Sequence, residues 1–283
     1  MNDDVQNKTI SNDIVFGMAM QQKPDLARRL IALSTDTNEA LLETAKISDQ
    51  KGNKPTIFSK GTRFDIYLAT DTNIYDLEMQ TRDSAINDIA LRARYYASSN
   101  DVTELKPGCN YRELKSLTII FLCTFDPFKK GYAKYIVKER VFVHNKDSKN
   151  SKETCEDITD SVHYDCNITK IFFNASTKIS VMNTTDSMAN VLHLLATNQS
   201  TDEFTEELKE TAEDIVQKRG KEIMTLEQKM NDIAYMSEQK GIELANFATA
   251  REMIENKEPI EKIVKYSHLT VEQIENLKQS MHS

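Results

Sequence analysis

The sequence predicts an α/β fold, a mixed sheet flanked by helices with a C-terminal helical appendage. Three observations predict it. Hydrophobic spacing is helical at the start of the chain and changes to a period of two from residue 56. The run LTIIFLCTF at 117–125 is apolar throughout, the mark of a strand buried on both faces. Beyond residue 198 only helical spacing remains, which divides the chain into a core over 1–198 and a helical region over 199–283. A length of 283 residues fits one or two domains at about 150 residues each.

NDIVFGM at 12–18 opens with an N-capping residue type, and KPDLARRLIALS at 23–34 sets Leu26, Leu30 and Leu33 on one helical face behind Pro24. The polar stretch SDQKGNKP at 48–55 separates these helices from the first strands. Phe64, Ile66 and Leu68 then alternate with polar neighbours, as do Tyr75, Leu77 and Met79, and turn residues lie between them, so 63–80 reads as a β-hairpin. SAINDIALRARYYASS at 84–99 is helical in period and LKSLTIIFLCTF at 114–125 is a buried strand. KYIVKERVFVHN at 134–145 and TKIFFNAS at 169–176 alternate cleanly enough for edge strands. Residues 186–198 turn helical again. Ser200 and Glu203 have capping-box spacing, Ile223, Leu226, Met230 and Ile233 form a short heptad-like seam, and Thr270 with Gln273 caps the last helix.

Charge narrows the partners. Net charge is −8, but residues 1–150 hold 22 Lys and Arg against 20 Asp and Glu, and residues 151–283 hold 14 against 24. The first part tolerates a polyanion; the second repels one, and this counts against the last two helices as a DNA-reading pair. MNDDVQN lacks the positive charge and apolar block of a secretory signal, and no apolar run is long enough to cross a bilayer, so a cytoplasmic protein without a membrane is expected. Cys109, Cys123, Cys155 and Cys166 contain no C-x-x-C pair, and Cys155, His163 and Cys166 lack zinc-site spacing; reduced thiols are expected.

The chemistry centres on RFDIYLATDTNIYDLEMQ at 63–80. A loop at Asp71–Thr72 places Asp65 opposite Glu78, and opposed residues of an antiparallel pair share a face. Asp65, Glu78 and Gln80 then cluster on the face away from Ile66, Leu68, Tyr75, Leu77 and Met79. Like charges opposed across strands cost stability, a cost that a bound divalent cation removes. Hard carboxylate oxygens suit Mg²⁺, and Gln80, two residues beyond Glu78, would lie beside the ion. Spacing alone equally fits polar residues on a solvated face.

The residues NDIVF at 12–16, RFDIYLATD at 63–71, YDLEMQ at 75–80, LRARYY at 91–96, KPGCNYRELK at 106–115, IIFLCTFDPF at 119–128 and MIENKEPIEKIVKYSHLTVEQIENLK at 253–278 together resemble one family. It is the PD-(D/E)XK nuclease superfamily, in its recombination-promoting nuclease (Rpn) and transposase branch, where Glu-x-Gln replaces Glu-x-Lys. The resemblance implies a restriction-endonuclease-like core and metal-dependent hydrolysis of DNA phosphodiesters. Asp65 and Glu78 would hold Mg²⁺, or Mn²⁺ or Ca²⁺ in its place, with the Met79 carbonyl, while Gln80 and Asp13 complete the catalytic set. Asp13 fits helix N-capping as well. Arg92, Tyr96 and Lys115 would meet the DNA backbone, and the helical regions would pair two copies. Gln80 departs from the superfamily's lysine: a neutral amide can only hydrogen-bond where lysine supplies charge. The alternative is a weakly active or inactive module of the same fold acting through protein contacts.

Overall fold

The computed structural model describes residues 7–48, 66–81, 86–146, 153–162, 166–177 and 187–281. Its helices are α1 (Asp13–Gln22), α2 (Pro24–Thr35), α3 (Ile86–Glu104), α4 (Ser187–Thr197), α5 (Glu203–Glu255), α6 (Ile260–Ser267) and α7 (Val271–Met281). Its strands are β1 (Lys46–Ser48), β2 (Ile66–Ala69), β3 (Asn73–Gln80), β4 (Ser116–Cys123), β5 (Lys134–Val137), β6 (Phe142–Lys146), β7 (Glu153–Asp157) and β8 (Ile168–Asn174). Contacts divide the chain into two compact units, Met1–Gly220 and Lys221–Ser283.

In the first unit β1-β2-β3-β4-β8-β5 form one mixed sheet, and β6 pairs with β7 in a second. β3, β4 and β8 run parallel, while β1, β2 and β5 are antiparallel to their neighbours. Parallel neighbours need a crossover, and α3 is the segment between β3 and β4. The hairpin register is the expected one: Ile66 opposes Leu77, Tyr67 opposes Asp76 and Leu68 opposes Tyr75.

Three strand expectations change. The segment 134–145 is two strands in different sheets, because the polar Lys138–Arg140 stretch interrupts it. β8 is interior, between β4 and β5, and its second half is buried despite the alternation that suggested an edge. β1, at the entry to the polar separator, is an additional strand.

The helix ends obey capping chemistry with shifted residues. Asn12 caps α1, its side chain accepting from the N–H groups of Ile14 and Val15, so Asp13 is the first helical residue and not the cap. Pro24 opens α2, and Asp36, left-handed at φ 56°, closes it. α5 is capped by Asp202 and not by Ser200: Asp202 accepts from Thr205 N–H at 2.7 Å and from the Thr205 hydroxyl at 2.7 Å. Phe204, Leu208, Ala212, Ile215 and Val216 are buried, Arg29 lies 4.5 Å from the Phe204 ring and Lys23 pairs with Glu207 at 2.8 Å. The first turns of α5 therefore complete the first unit. The division falls beside the non-helical backbone of Arg219 (φ −119°, ψ 18°), later than the sequence boundary after residue 198.

Burial pushes the Asp202 carboxyl up, but the Thr205 N–H and hydroxyl, the Asn190 amide and Arg29 outweigh it and hold it below the usual range. A depressed folded value contributes stability above the unfolded value and loses it as pH falls through the folded one. Asp202→Ala is expected to cost about 1–2 kcal/mol at neutral pH. Urea unfolding should show the gap to wild type closing below about pH 3.9.

In the second unit Ala250, Ile263, Leu269, Ile274 and Leu277 form a cluster on which Phe247, Ile260 and Val264 pack. The predicted Thr270 cap is present: Thr270 N–H donates to Gln273 Oε1 at 2.9 Å, and Gln273 N–H to Thr270 Oγ1 at 3.2 Å. Of the heptad-like seam, Ile223 is buried and Leu226 and Met230 are half-buried. No helix among the described residues is long and apolar enough to cross a membrane.

Candidate functional site

β3 is central, with β2 on one side and β4 on the other. Its odd-numbered residues Tyr75, Leu77 and Met79 are buried on one face with Ile66 and Leu68 of β2. Its even-numbered face carries Ile74, Asp76, Glu78 and Gln80. This second face is not solvated. α3 covers it, and Ile74 joins Ile89, Ala93, Tyr96, Ala97, Phe121 and Phe172 in one apolar cluster. Asp76, Glu78 and Gln80 are 0%, 3% and 7% exposed. Three successive same-face positions of a core strand thus hold two acids and an amide, where apolar side chains would be the stable choice. Burying charge costs several kcal/mol unless it is compensated, so this stripe is the strongest functional signal in the fold.

α3 supplies the compensation. Arg92 donates through Nη1 to Gln80 Oε1 and through Nη2 to the Tyr96 hydroxyl at 3.0 Å, and Nη2 lies 3.9 Å from Glu78 Oε2. Its guanidinium sits 5.6 Å from the Tyr96 ring, which stacks on Phe121 at 6.4 Å. Burial, then the charge of Glu78, pushes the Tyr96 hydroxyl up to about 12, so it stays protonated at neutral pH. Tyr67, opposite Asp76, donates to Glu104 Oε1 at 2.7 Å, and burial raises its pKa too. Burial likewise pushes the Cys123 thiol, level with Gln80 on β4, up to about 12. That thiol is not a nucleophile at neutral pH.

The sequence-predicted residues divide. Glu78 and Gln80 share a face, as their spacing required, and both meet the Arg92 guanidinium, which their spacing did not foretell. Asp65 lies outside the described residues. Arg92 and Tyr96 belong to the acid cluster itself, Tyr96 being part of the core. Lys115 binds the protein's own backbone, donating to Thr70 O at 2.7 Å, at the opposite end of β3 from Gln80. Asp13 opens α1 beside its Asn12 cap. Among the described residues no group of three or more His, Cys, Asp or Glu side chains is placed to hold a metal ion. Sequence reasoning passed over Asp76, although its parity with Glu78 and Gln80 was the available signal. The four cysteines are free thiols, and His163 lies outside the described residues.

The donor set of Glu78 suits a hard cation in kind, with carboxylate oxygens on a face that also carries Asp76. Arg92 sets the condition: a cation at Glu78 must share the carboxylate with the guanidinium or displace it. Comparison with protein-family models, with curated proteins and with solved structures gives no match.

Proposed function

We propose that the first unit is a metal-dependent DNA endonuclease of the recombination-promoting nuclease type, with a PD-(D/E)XK core, that hydrolyses phosphodiester bonds. The buried Asp76–Glu78–Gln80 stripe carries this reading, because no structural economy places two acids there. In it Glu78, with Asp65 and the Met79 carbonyl, holds Mg²⁺. When bound, the ion lowers the pKa of a coordinated water and polarises the phosphate. Gln80 orients the attacking water through its amide. Arg92 contributes the positive charge that Gln80 lacks, positioned from α3 and not from β3. The protein acts in the cytoplasm, and the acidic helical region joins two copies. Met224, Tyr235, Met236, Ile242 and Leu244 of α5, exposed in the second unit, support that last element.

The engagement of Gln80, Glu78 and Tyr96 by Arg92 favours a second reading, a module of the same fold with little or no cleavage that works through protein contacts. Supercoiled plasmid separates the two. Nicking with Mg²⁺ or Mn²⁺ that stops in EDTA supports the endonuclease, and intact plasmid at every metal concentration removes it.

A further inference from the structure

The carboxyl ends of β3, β4 and β8 lie at one end of the sheet, where Gln80 is level with Cys123 and Cys123 with Asn174. Asn174 N–H donates to Ala133 O at 2.9 Å, and its side-chain amide donates to Tyr132 O at 3.1 Å. The turn that leads into β5 therefore sits at the end of the sheet where the acid stripe ends. Its tip is Lys129, Lys130, Gly131 and Tyr132.

One carboxylate fixes this turn. Asp126 accepts from the N–H groups of Phe128 at 3.1 Å, Lys129 at 2.9 Å and Gly131 at 2.6 Å, and from the Tyr135 hydroxyl at 2.8 Å. Gly131 takes φ 79°, which glycine adopts without strain, and Lys129 is left-handed at φ 55°. Phe128 is anchored on Phe172 and Tyr135 at 5.2 and 4.9 Å. The tip is the reverse of its anchor: Lys129 and Lys130 are exposed, neither pairs with a carboxylate among the described residues, and Tyr132 is 67% exposed. Lys134 and Arg140 nearby are held by Asp36 and Asp157. Two uncommitted cations and a phenol on a rigid turn form a surface for a polyanion.

We propose that the Lys129–Lys130–Tyr132 turn is the docking surface for the backbone of duplex DNA. This rests on the endonuclease reading for its partner and adds to that reading the surface that holds the substrate. Three strand spacings of about 4.8 Å put the turn roughly 14 Å from Gln80. At about 3.4 Å of rise per base pair, that is about four base pairs along the duplex. The lysines hold phosphates on one side while the bond to be cut lies at the Gln80 end of β3, where the acid stripe ends. The other exposed basic and aromatic loop, with Lys106, Tyr111 and Arg112, precedes β4 at the opposite end of the sheet and takes no part.

The test is fluorescence anisotropy of a labelled 20-base-pair duplex with the full chain in EDTA, across a NaCl series, so that binding is read without metal or cleavage. Lys129→Ala/Lys130→Ala is expected to weaken binding at least tenfold at low salt and to flatten the slope of log K against log [NaCl] by roughly 1.8, about 0.9 for each phosphate no longer neutralised. Lys106→Ala/Arg112→Ala should match wild type. Wild-type affinity and slope in the Lys129→Ala/Lys130→Ala protein, equal losses at both loops, or a wild-type chain that does not bind duplex would each overturn the proposal. A chain that binds through this turn and never nicks plasmid keeps the docking surface and loses the endonuclease.

Discussion

Glu78→Ala is expected to lower Mg²⁺-dependent plasmid nicking by about 100-fold or more and to leave the fold intact. The size reflects the role of the carboxylate: positioning a cation at the phosphate is worth several kcal/mol of transition-state charge stabilisation, and about 1.4 kcal/mol is tenfold in rate. The sign of the accompanying stability change separates function from structure. Glu78 is 3% exposed beside Asp76 on the same face. A residue kept there for folding would cost stability when neutralised; one kept for chemistry would not. Glu78→Gln is therefore expected to unfold at the same temperature as wild type or a higher one, while nicking falls as it does for alanine. A variant that melts well below wild type and still nicks would assign Glu78 to structure. Asp76→Asn, tested the same way, shows whether the residue passed over in the sequence shares the role.

The fold was largely readable because its signals are local. Alternation at Ile66 and Leu68 against Tyr75, Leu77 and Met79 set the hairpin register, and the continuous run at 117–125 marked β4 as a strand with both faces covered. The failures share one cause, that the deciding interactions are remote in sequence. Nothing local to Ile168–Asn174 says that β5 will pair on its far side. At 200–205 the part that no local pattern carries is the Asn190 amide, which donates to Asp202 Oδ2 at 2.8 Å from the preceding helix. The same limit governed the site. Parity placed Glu78 and Gln80 on one face, but the apolar set on the opposite face suggested that theirs was solvated. Only the packing of α3, through Ile89, Ala93 and Tyr96, shows it to be a second core face. Arg92 was legible as a helix neighbour of Tyr96, four residues on; that its guanidinium reaches Gln80 and Glu78 required the sheet.

Arg92→Met is expected to lower stability by about 1–2 kcal/mol without metal and to tighten Mn²⁺ binding at least tenfold. Removing one member of a buried ion pair costs about 3–5 kcal/mol, and the partial exposure of Arg92, at 39% of its side chain, reduces that through solvent screening. The metal effect has the opposite sign. A guanidinium 3.9 Å from Glu78 Oε2 interacts with it by about 4 kcal/mol at an effective dielectric of 20. An incoming cation forfeits part of that interaction when it displaces or crowds Arg92, so deleting the guanidinium returns the difference as affinity. Calorimetric titration with Mn²⁺ reads the affinity directly. Thermal melts read it through linkage, since a ligand at 100 times its Kd adds about 2.7 kcal/mol to the folded state. The melting point of Arg92→Met should therefore start below wild type and rise further as Mn²⁺ is added. If the variant loses stability and Mn²⁺ restores none of it, Arg92 closes a structural network with no cation site beneath it, and the module without cleavage becomes the better account of this face. If Mn²⁺ restores the fold while nicking remains low, the same guanidinium that competes with the ion in the free protein is the charge the reaction needs once DNA is bound.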